Sequence, residues 1–247
     1  MCRMPRVIAW VKFLVDLATP KANQLLAASP EATYRRLLPY LEAITLTLDQ
    51  SLFPRAGSLP FAYFPTDSIV TLSYAIEKGA IAKAWPVGRE GMVGISLILG
   101  SSTRYNRADV QLTGSAFRIA ATPLLTEFRR DNEFQRLLLR YVSALITQAS
   151  QLSVCGQHHL IEQRLCRFLT RAFDRVSRDR LSITQARIGK LLGVRRESIT
   201  EVALRLQKAG IILYFRGNII LINREKLEKR ACTCGAIIRR AFAAVSE

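Results

Sequence analysis

Apolar residues recur at helical spacing through residues 21–45, at Leu25, Leu26, Tyr34, Leu37, Leu38, Leu41 and Ile44, and predict a helical lead-in. Pro30 after Ser29 suits the first turn of a second helix there. From Leu46 to Ile119 the texture changes to short β-rich runs: Leu46–Leu48, Phe61–Phe64, Ile69–Ala75, Ala80–Trp85, Ala108–Leu112 and Ala116–Ala120, separated by Pro, Gly, Asp and Asn. Short strands at this spacing predict a small β-barrel or jelly roll. A long helix is expected from Pro123 to about Val154. Along it Phe134, Leu138, Tyr141, Leu145, Gln148 and Leu152 step by four and three, a coiled-coil seam with one polar member that reads as a dimer interface, the alternative being a helix buried on its own domain. Leu137 and Ala144 form a neighbouring row able to face the barrel. Gly156 breaks the helix, and another (Leu160–Val176) places Ile161, Leu165, Phe168, Leu169 and Phe173 inward.

The run from Thr184 to Ile222 has the finest pattern. Thr184 can cap a short helix with Ile188, Leu191 and Leu192 inward, and Gly193 suits the left-handed residue that ends it. A second helix from about Arg195 carries an apolar stripe at Ile199, Val202, Leu206 and Ala209. Its other face opens with Arg195, Arg196, Glu197, Ser198 and Glu201. Gly210 stops it, and two β-rich runs (Ile211–Phe215, Ile219–Ile222) flank Arg216-Gly217-Asn218, a hairpin signal. This is a helix-turn-helix with a β-wing. A greasy back and polar N-terminal residues are what a helix needs to lie in a major groove, so Thr184, Gln185, Arg195, Arg196, Glu197, Ser198, Glu201 and Arg216 are the expected DNA contacts.

Charge supports a polyanionic partner. The 247 residues carry a formal charge of +17. From Gly156 onward 19 basic and 8 acidic residues leave +11, against +6 for the longer preceding part. Counterion release from phosphates would then supply much of the affinity. No apolar run approaches the about 18 residues of a membrane span. The N-terminal patch Val7–Val15 is interrupted by Lys12 and reads as an amphipathic helix or loose tail, not a leader, so a cytoplasmic protein is expected. The cysteines, Cys2, Cys155, Cys166, Cys232 and Cys234, suit neither a disulfide framework nor a zinc site, because Cys232-x-Cys234 offers two ligands where zinc takes four. They read as structural thiols, and no metal is expected. His158 and His159 read as solvated or capping residues at a helix junction.

Lead-in, barrel, long helix and winged helix-turn-helix, in that order, resemble the Crp/Fnr family of bacterial transcription regulators. The most specific segment is IGKLLGVRRESITEVALRLQKAGII, similar to the family's I-G-x-x-x-G-x-x-R-E-[ST]-[IV] signature. VGREGMVG (Val87–Gly94), ADVQLTGSAFRI (Ala108–Ile119) and YFPTDSIVTLSYAIEKG (Tyr63–Gly79) are similar to the effector-barrel strands. The resemblance implies an α+β protein divided into an extension (1–20), a lead-in and effector-type barrel (21–122), a dimerisation helix (123–155) and a winged helix-turn-helix domain with a C-terminal tail (156–247). It implies that Arg196 and Glu197 touch bases, Arg through guanine O6/N7 and Glu through cytosine N4. It also implies that Ser198 and Thr184 lie near the phosphate backbone. Where several members carry a second base-reading arginine, this chain has Glu201, which changes the expected half-site.

The resemblance puts an effector pocket at Ile95, Ser96, Arg104, Asn106 and Arg107. Members that bind cyclic AMP carry a glutamate for the ribose and an Arg-Ser/Thr-Ala run for the phosphate. Here Ile95 or Ser96 and Asn106-Arg107-Ala108 stand there, so a degenerate pocket without cyclic AMP is expected. Glu90, in the glycine-rich turn beforehand, reads as a structural residue. An N-terminal cysteine cluster for iron–sulfur ligation is missing, and nothing supports haem, so no cofactor is expected. Walker loops, nucleophile elbows and paired catalytic carboxylates are absent, which argues against an enzyme. The expected partners are double-stranded DNA, a second copy of the chain and RNA polymerase, without a membrane. The alternative is a receptor whose cyclic nucleotide or other small ligand switches DNA binding.

Overall fold

The computed structural model describes residues 19–53, 59–75, 81–100, 106–176 and 178–247, with the backbone alone for 74, 75, 81–84 and 106. The 1–20 extension lies almost wholly outside the described residues. Two short helices, α1 (Gln24–Ala27) and α2 (Glu31–Leu37), open the chain. Asn23 caps α1 through its side-chain oxygen and donates from Nδ2 to the carbonyls of Pro65 and Gly91, both at 2.8 Å. The helical pattern expected to reach Ile44 stops earlier. Pro39 lies in a single 3-10 turn (Leu38–Tyr40), and the chain then extends as β1 (Glu42–Leu46). Leu41 and Ile44 continue the helical spacing only by coincidence.

Five further strands follow: β2 (Phe61–Pro65), β3 (Ile69–Ala75), β4 (Ile81–Val87), β5 (Asn106–Leu112) and β6 (Gly114–Ala120), with a short α3 (Ser96–Leu99) after β4. They form two antiparallel three-stranded sheets, ordered β1-β6-β2 and β4-β3-β5. Among the described residues these sheets are not joined into a closed barrel. Leu46, Leu59, Val70, Val87, Val93, Val110 and Ala116 fill the space between them. Of the strands expected from sequence, the first, Leu46–Leu48, is displaced to Glu42–Leu46, and the other five are present, with ends differing by at most two residues.

The single long helix expected after the barrel is two: α4 (Ala121–Arg130) and α5 (Asn132–His158). Asp131 separates them and caps α5, its Oδ1 accepting from the amides of Glu133 and Phe134. The expected dimer seam is overturned here. Phe134, Leu138, Tyr141, Leu145 and Gln148 are buried within the chain itself, packed on the barrel alongside Leu137 and Ala144, and Leu152 is half-buried below them. A four-three stripe reports a buried face, whatever covers it, and here the barrel and the C-terminal helix do. Tyr141 Oη donates to the Met92 carbonyl (2.9 Å) and accepts from its amide (3.0 Å). The opposite face of α5 presents Leu139, Ser143, Ile146, Ser150 and Val154 to solvent, Ile146 at 62% exposure.

Next come α6 (Ile161–Arg175), β7 (Arg180–Ser182), α7 (Gln185–Leu192), α8 (Arg196–Lys208), β8 (Ile212–Phe215), β9 (Asn218–Leu221), α9 (Arg224–Arg230) and α10 (Cys234–Ala243). The segment expected to be a C-terminal tail is thus two helices. Of these, α10 returns along α5 and α6, where Phe242 lies against Tyr141. Leu165, Leu169, Phe173, Ile188, Ile199, Val202, Leu206 and Ile219 make one core, and Ile69 and Leu112 of the barrel belong to it.

A buried ion pair joins the two halves. Arg175, near the end of α6, donates from Nε to Glu90 Oε1 at 2.7 Å, and both side chains are more than nine-tenths buried. A second guanidinium nitrogen donates to Gln148 Oε1 (3.0 Å) and the Pro86 carbonyl (3.2 Å). Gln148 thus serves the interior of one chain, where it was expected to set register between two. Gly88 is required beside this pair, because a Cβ there would come within 2.6 Å of Arg175 Cγ. Tyr141 likewise occupies the space over Gly91.

Burial by itself would raise the Glu90 carboxyl, but the charges of Arg175 and then Arg171 outweigh it and hold it below the usual carboxylate range. The folded value lies below the unfolded one. The pair's contribution is therefore complete at neutral pH and is lost as pH falls through the depressed folded value. Arg175→Met should cost about 3–5 kcal/mol by stranding Glu90, whereas Arg175→Met with Glu90→Gln should recover much of it. Urea unfolding across an acid series checks both, since Glu90→Gln should flatten the acid limb of stability. A cost for the double variant equal to that of Arg175→Met would contradict the stranded-charge account.

Candidate DNA-binding surface

Three devices hold α7 against α8. Thr184 Oγ1 accepts from the Arg187 amide (3.2 Å) and starts α7, while Gly193 ends it in the left-handed region at φ 65°. Gly189 lets the turn fold back closely, with a Cβ there lying 2.9 Å from the Val194 carbonyl oxygen. Thr200 Oγ1 donates to Gln185 Oε1 at 2.6 Å, tying the first residue of α7 to the second turn of α8. Behind α8, Ile199, Val202, Ala203 and Leu206 are buried, and Glu162 of α6 pairs with Arg205 and Arg230, both at 3.1 Å.

The front of this unit is polar. Arg196 begins α8, with Arg195 just before it in extended backbone, one residue later than expected. Arg195, Arg196, Glu197 and Glu201 are exposed, and Ser198 is half-buried. The helix N-terminus adds its own positive end beside the two guanidiniums. Thr184 is exposed and Gln185 half-buried, its amide oxygen already engaged by Thr200. The wing sheet is ordered β7-β9-β8, so it has a third strand that sequence reasoning missed. Its tip is Arg216-Gly217, at φ 46° and 77°, the two positive values of a type I′ hairpin turn. The Arg216 guanidinium lies 4.9 Å from the Phe215 ring centre, and Gly217 sits against Thr184. Fold and wing thus bring Thr184, Arg195, Arg196, Glu197, Glu201 and Arg216 onto one unit. Thr200 was missed, as was Arg180, which opens β7 and donates from Nε to Asn218 Oδ1 at 3.0 Å on the wing, since a lone threonine inside a helix and a three-residue strand leave no sequence signal.

Of the expected effector residues, the described side chains are Ile95, Ser96 and Arg107. Ile95 precedes α3 and Ser96 opens it, buried. Arg107 is half-exposed on β5 and pairs with Asp109 at 3.6 Å. Asn106 lies on β5 opposite Tyr74, and Arg104 is outside the described residues. A cavity of about 600 Å³ lies elsewhere, between the β4-β3-β5 sheet, the end of α5 and the helix-turn-helix. Trp85, Leu112, Leu152, Phe168 and Leu191 line it, with Arg164 and Lys190.

A separate cluster gathers three of the cysteines with a histidine. The fold brings Cys155 and His159, at the end of α5, against Cys232 and Cys234. Cys155 is pushed down to about 4, first by the hydrogen bond from the Cys232 thiol and then by the Arg167 charge, against the opposing effect of burial. His159 caps α5, its amide reaching the Cys155 carbonyl.

With these elements in place, residues 163–230 match the Crp-like helix-turn-helix domain. The whole fold is shared with solved regulators of low sequence identity. FixK2 from Bradyrhizobium japonicum superposes with a TM-score of 0.65 at 15% identity, over 78% of this chain and 98% of that one. A putative Crp/Fnr-family transcriptional regulator from Eubacterium rectale gives 0.61 at 15%, over 85% and 98%. A putative cAMP-binding regulatory protein from Silicibacter pomeroyi gives 0.62 at 19%, over 85% and 99%. No curated protein matches the sequence. The chain carries a Crp-like helix-turn-helix domain on the fold of the Crp/Fnr regulators.

Gly189→Ala should cost about 1–3 kcal/mol, because the added methyl meets backbone that cannot move without parting the two helices. Denaturant midpoints check this. Unchanged stability would mean that the α7–α8 turn has room to yield.

Proposed function

We propose that this chain is a homodimeric, sequence-specific DNA-binding regulator of transcription that works without catalysis. The observation that carries it is the exposed Arg195-Arg196-Glu197 start of α8, set on a buried apolar back within a segment that matches the Crp-like helix-turn-helix domain. Arg196 reads guanine through O6/N7, Glu197 accepts from cytosine N4, and Glu201 shifts the half-site away from that of arginine-bearing members. Arg195, Arg216 and the wing add phosphate contacts that position the protein. RNA polymerase is the further partner that regulation requires, and the cytoplasm is where such a protein acts. Among the described residues no helix is long and apolar enough to cross a membrane.

Two copies meet through the outer face of α5. Leu139, Ser143, Ile146 and Ser150 step by four, three and four there, Val154 extends the same face by one further turn, and Leu139 and Val154 are 48% and 47% exposed in the single chain. A seam of this spacing supports a parallel pair of helices and sets two α8 helices one DNA turn apart.

The second reading, a small-molecule receptor, draws on the cavity between barrel and helix-turn-helix, whose walls come from both halves. A ligand there acts through its different affinity for alternative placements of the halves. Ile95, Ser96 and Arg107 do not line this cavity, which argues against cyclic AMP as its occupant.

Selection from a random duplex pool, without nucleotide, should enrich a two-fold-symmetric site. Arg196→Ala should lower affinity for that site by about 1–3 kcal/mol and relax one base position. Equal losses on every sequence would reassign Arg196 to phosphate. Leu139→Glu with Ile146→Glu should halve the mass in light scattering while leaving circular dichroism intact. A dimeric mass in that variant would remove α5 as the seam.

A further inference from the structure

Four side chains with metal-binding chemistry converge at the end of α5. Cys155 and His159 are one helical turn apart and share a face. Cys232 follows α9 and Cys234 opens α10. The Cys155 and Cys232 sulfurs are 3.4 Å apart, and Cys234 Sγ lies 3.6 Å from His159 Nδ1. All four ligand atoms lie within 4.8 Å of one another. Zinc with Zn–S distances of about 2.3 Å sets tetrahedral S–S edges of about 3.8 Å, so the spacing is that of a coordination shell.

Two surroundings agree with this. The three thiols are buried as a cluster of their own, separate from the apolar cores, where aliphatic side chains would pack at less cost. Arg167 is buried beside them, close to Gly235, and its Nε finds no acceptor among the described residues. Three thiolates, a neutral imidazole and a divalent cation carry a net charge of −1, which a neighbouring guanidinium balances.

We propose that Cys155, His159, Cys232 and Cys234 bind one zinc ion, which fastens the end of α5 to the junction of α9 and α10. Thiolate-rich tetrahedral ligation selects zinc over magnesium or calcium. Four protein ligands fill the shell, so the site is structural and leaves no position for a substrate. Binding exchanges thiol protons for metal–sulfur bonds, releases those protons to solvent, and moves no electrons. Because α10 packs along α5 and α6, the ion fixes the C-terminal helices of the DNA-binding half against the long helix. The site stands independently of any DNA contact.

The test is metal content of the full chain, purified in reducing buffer without chelator, together with cobalt(II) uptake. One equivalent of zinc per chain is expected, and cobalt should give the intense visible bands of a tetrahedral thiolate site. His159→Ala and Cys234→Ser should each lose most of the metal. Cys166→Ala and His158→Ala, outside the cluster, should keep it. Chelation should lower the unfolding temperature of the parent chain and of these two controls, but of neither ligand variant. A parent chain without zinc whose cobalt spectrum is octahedral would overturn the proposal, as would a Cys155–Cys232 disulfide found in place of metal. The parent chain's spectrum decides even where a ligand variant fails to fold. All of this is read without DNA, so failure here and failure of the regulatory reading are distinguishable.

Discussion

Arg175 sits where the turn after β4, the long helix α5 and the helix α6 meet. Its guanidinium reaches Glu90 in the turn after β4, Gln148 on α5 and the carbonyl of Pro86, while its own helix carries the DNA-binding half. A buried ion pair adds little net stability over a well-packed apolar pair, because desolvation consumes most of the attraction. What it adds is intolerance of other arrangements: a shift of α6 that parted the charges would leave both stranded. The glycines of the Gly88–Gly91 turn belong to the same device, since side chains there would displace Arg175 and Tyr141.

That turn shows what a sequence can and cannot disclose. Its glycines and glutamate were visible, and a structural role for Glu90 was legible, but its partner lies 85 residues away and left no local trace. Local periodicity located α7 and α8 closely, because each buries one face against neighbours near in sequence, and it located β3 and α6 although these are buried nearly all round. The same logic misplaced β1, where Leu41 and Ile44 fell at helical spacing although Pro39 had already ended the helix. It also misassigned the inner stripe of α5. Periodicity counts an apolar face without naming its cover, and α5 has two such stripes, one buried and one exposed. The barrel takes the one with the aromatics, Phe134 and Tyr141, and the other mixes leucine, isoleucine and valine with serines. The cysteine cluster was illegible for another reason: 77 residues separate Cys155 from Cys232, so spacing arguments could see only half of the ligand set.

The DNA-binding surface was the most legible part because its chemistry and its scaffold are encoded together. Within 39 residues, 184–222, the chain specifies a cap, a close approach, a left-handed stop, an apolar back, a polar front and a hairpin tip. Each is a local requirement of backbone geometry or of reach into a groove. The expected effector pocket rested on a few positions in a divergent barrel, and its described side chains, Ile95, Ser96 and Arg107, do not line the cavity between the halves. Regulators sharing this fold at 15–19% identity keep the scaffold while most positions have changed.

Ile69 and Leu112 are barrel residues by connectivity and core residues of the helix-turn-helix half by packing. At those two side chains the seam between the halves is hydrophobic interior, not a hinge over solvent. A fragment beginning at Ile161 would carry the whole reading head yet present an oily scar where those two side chains had been. In this chain the domain boundary drawn along the sequence and the boundary drawn through the packing are different surfaces.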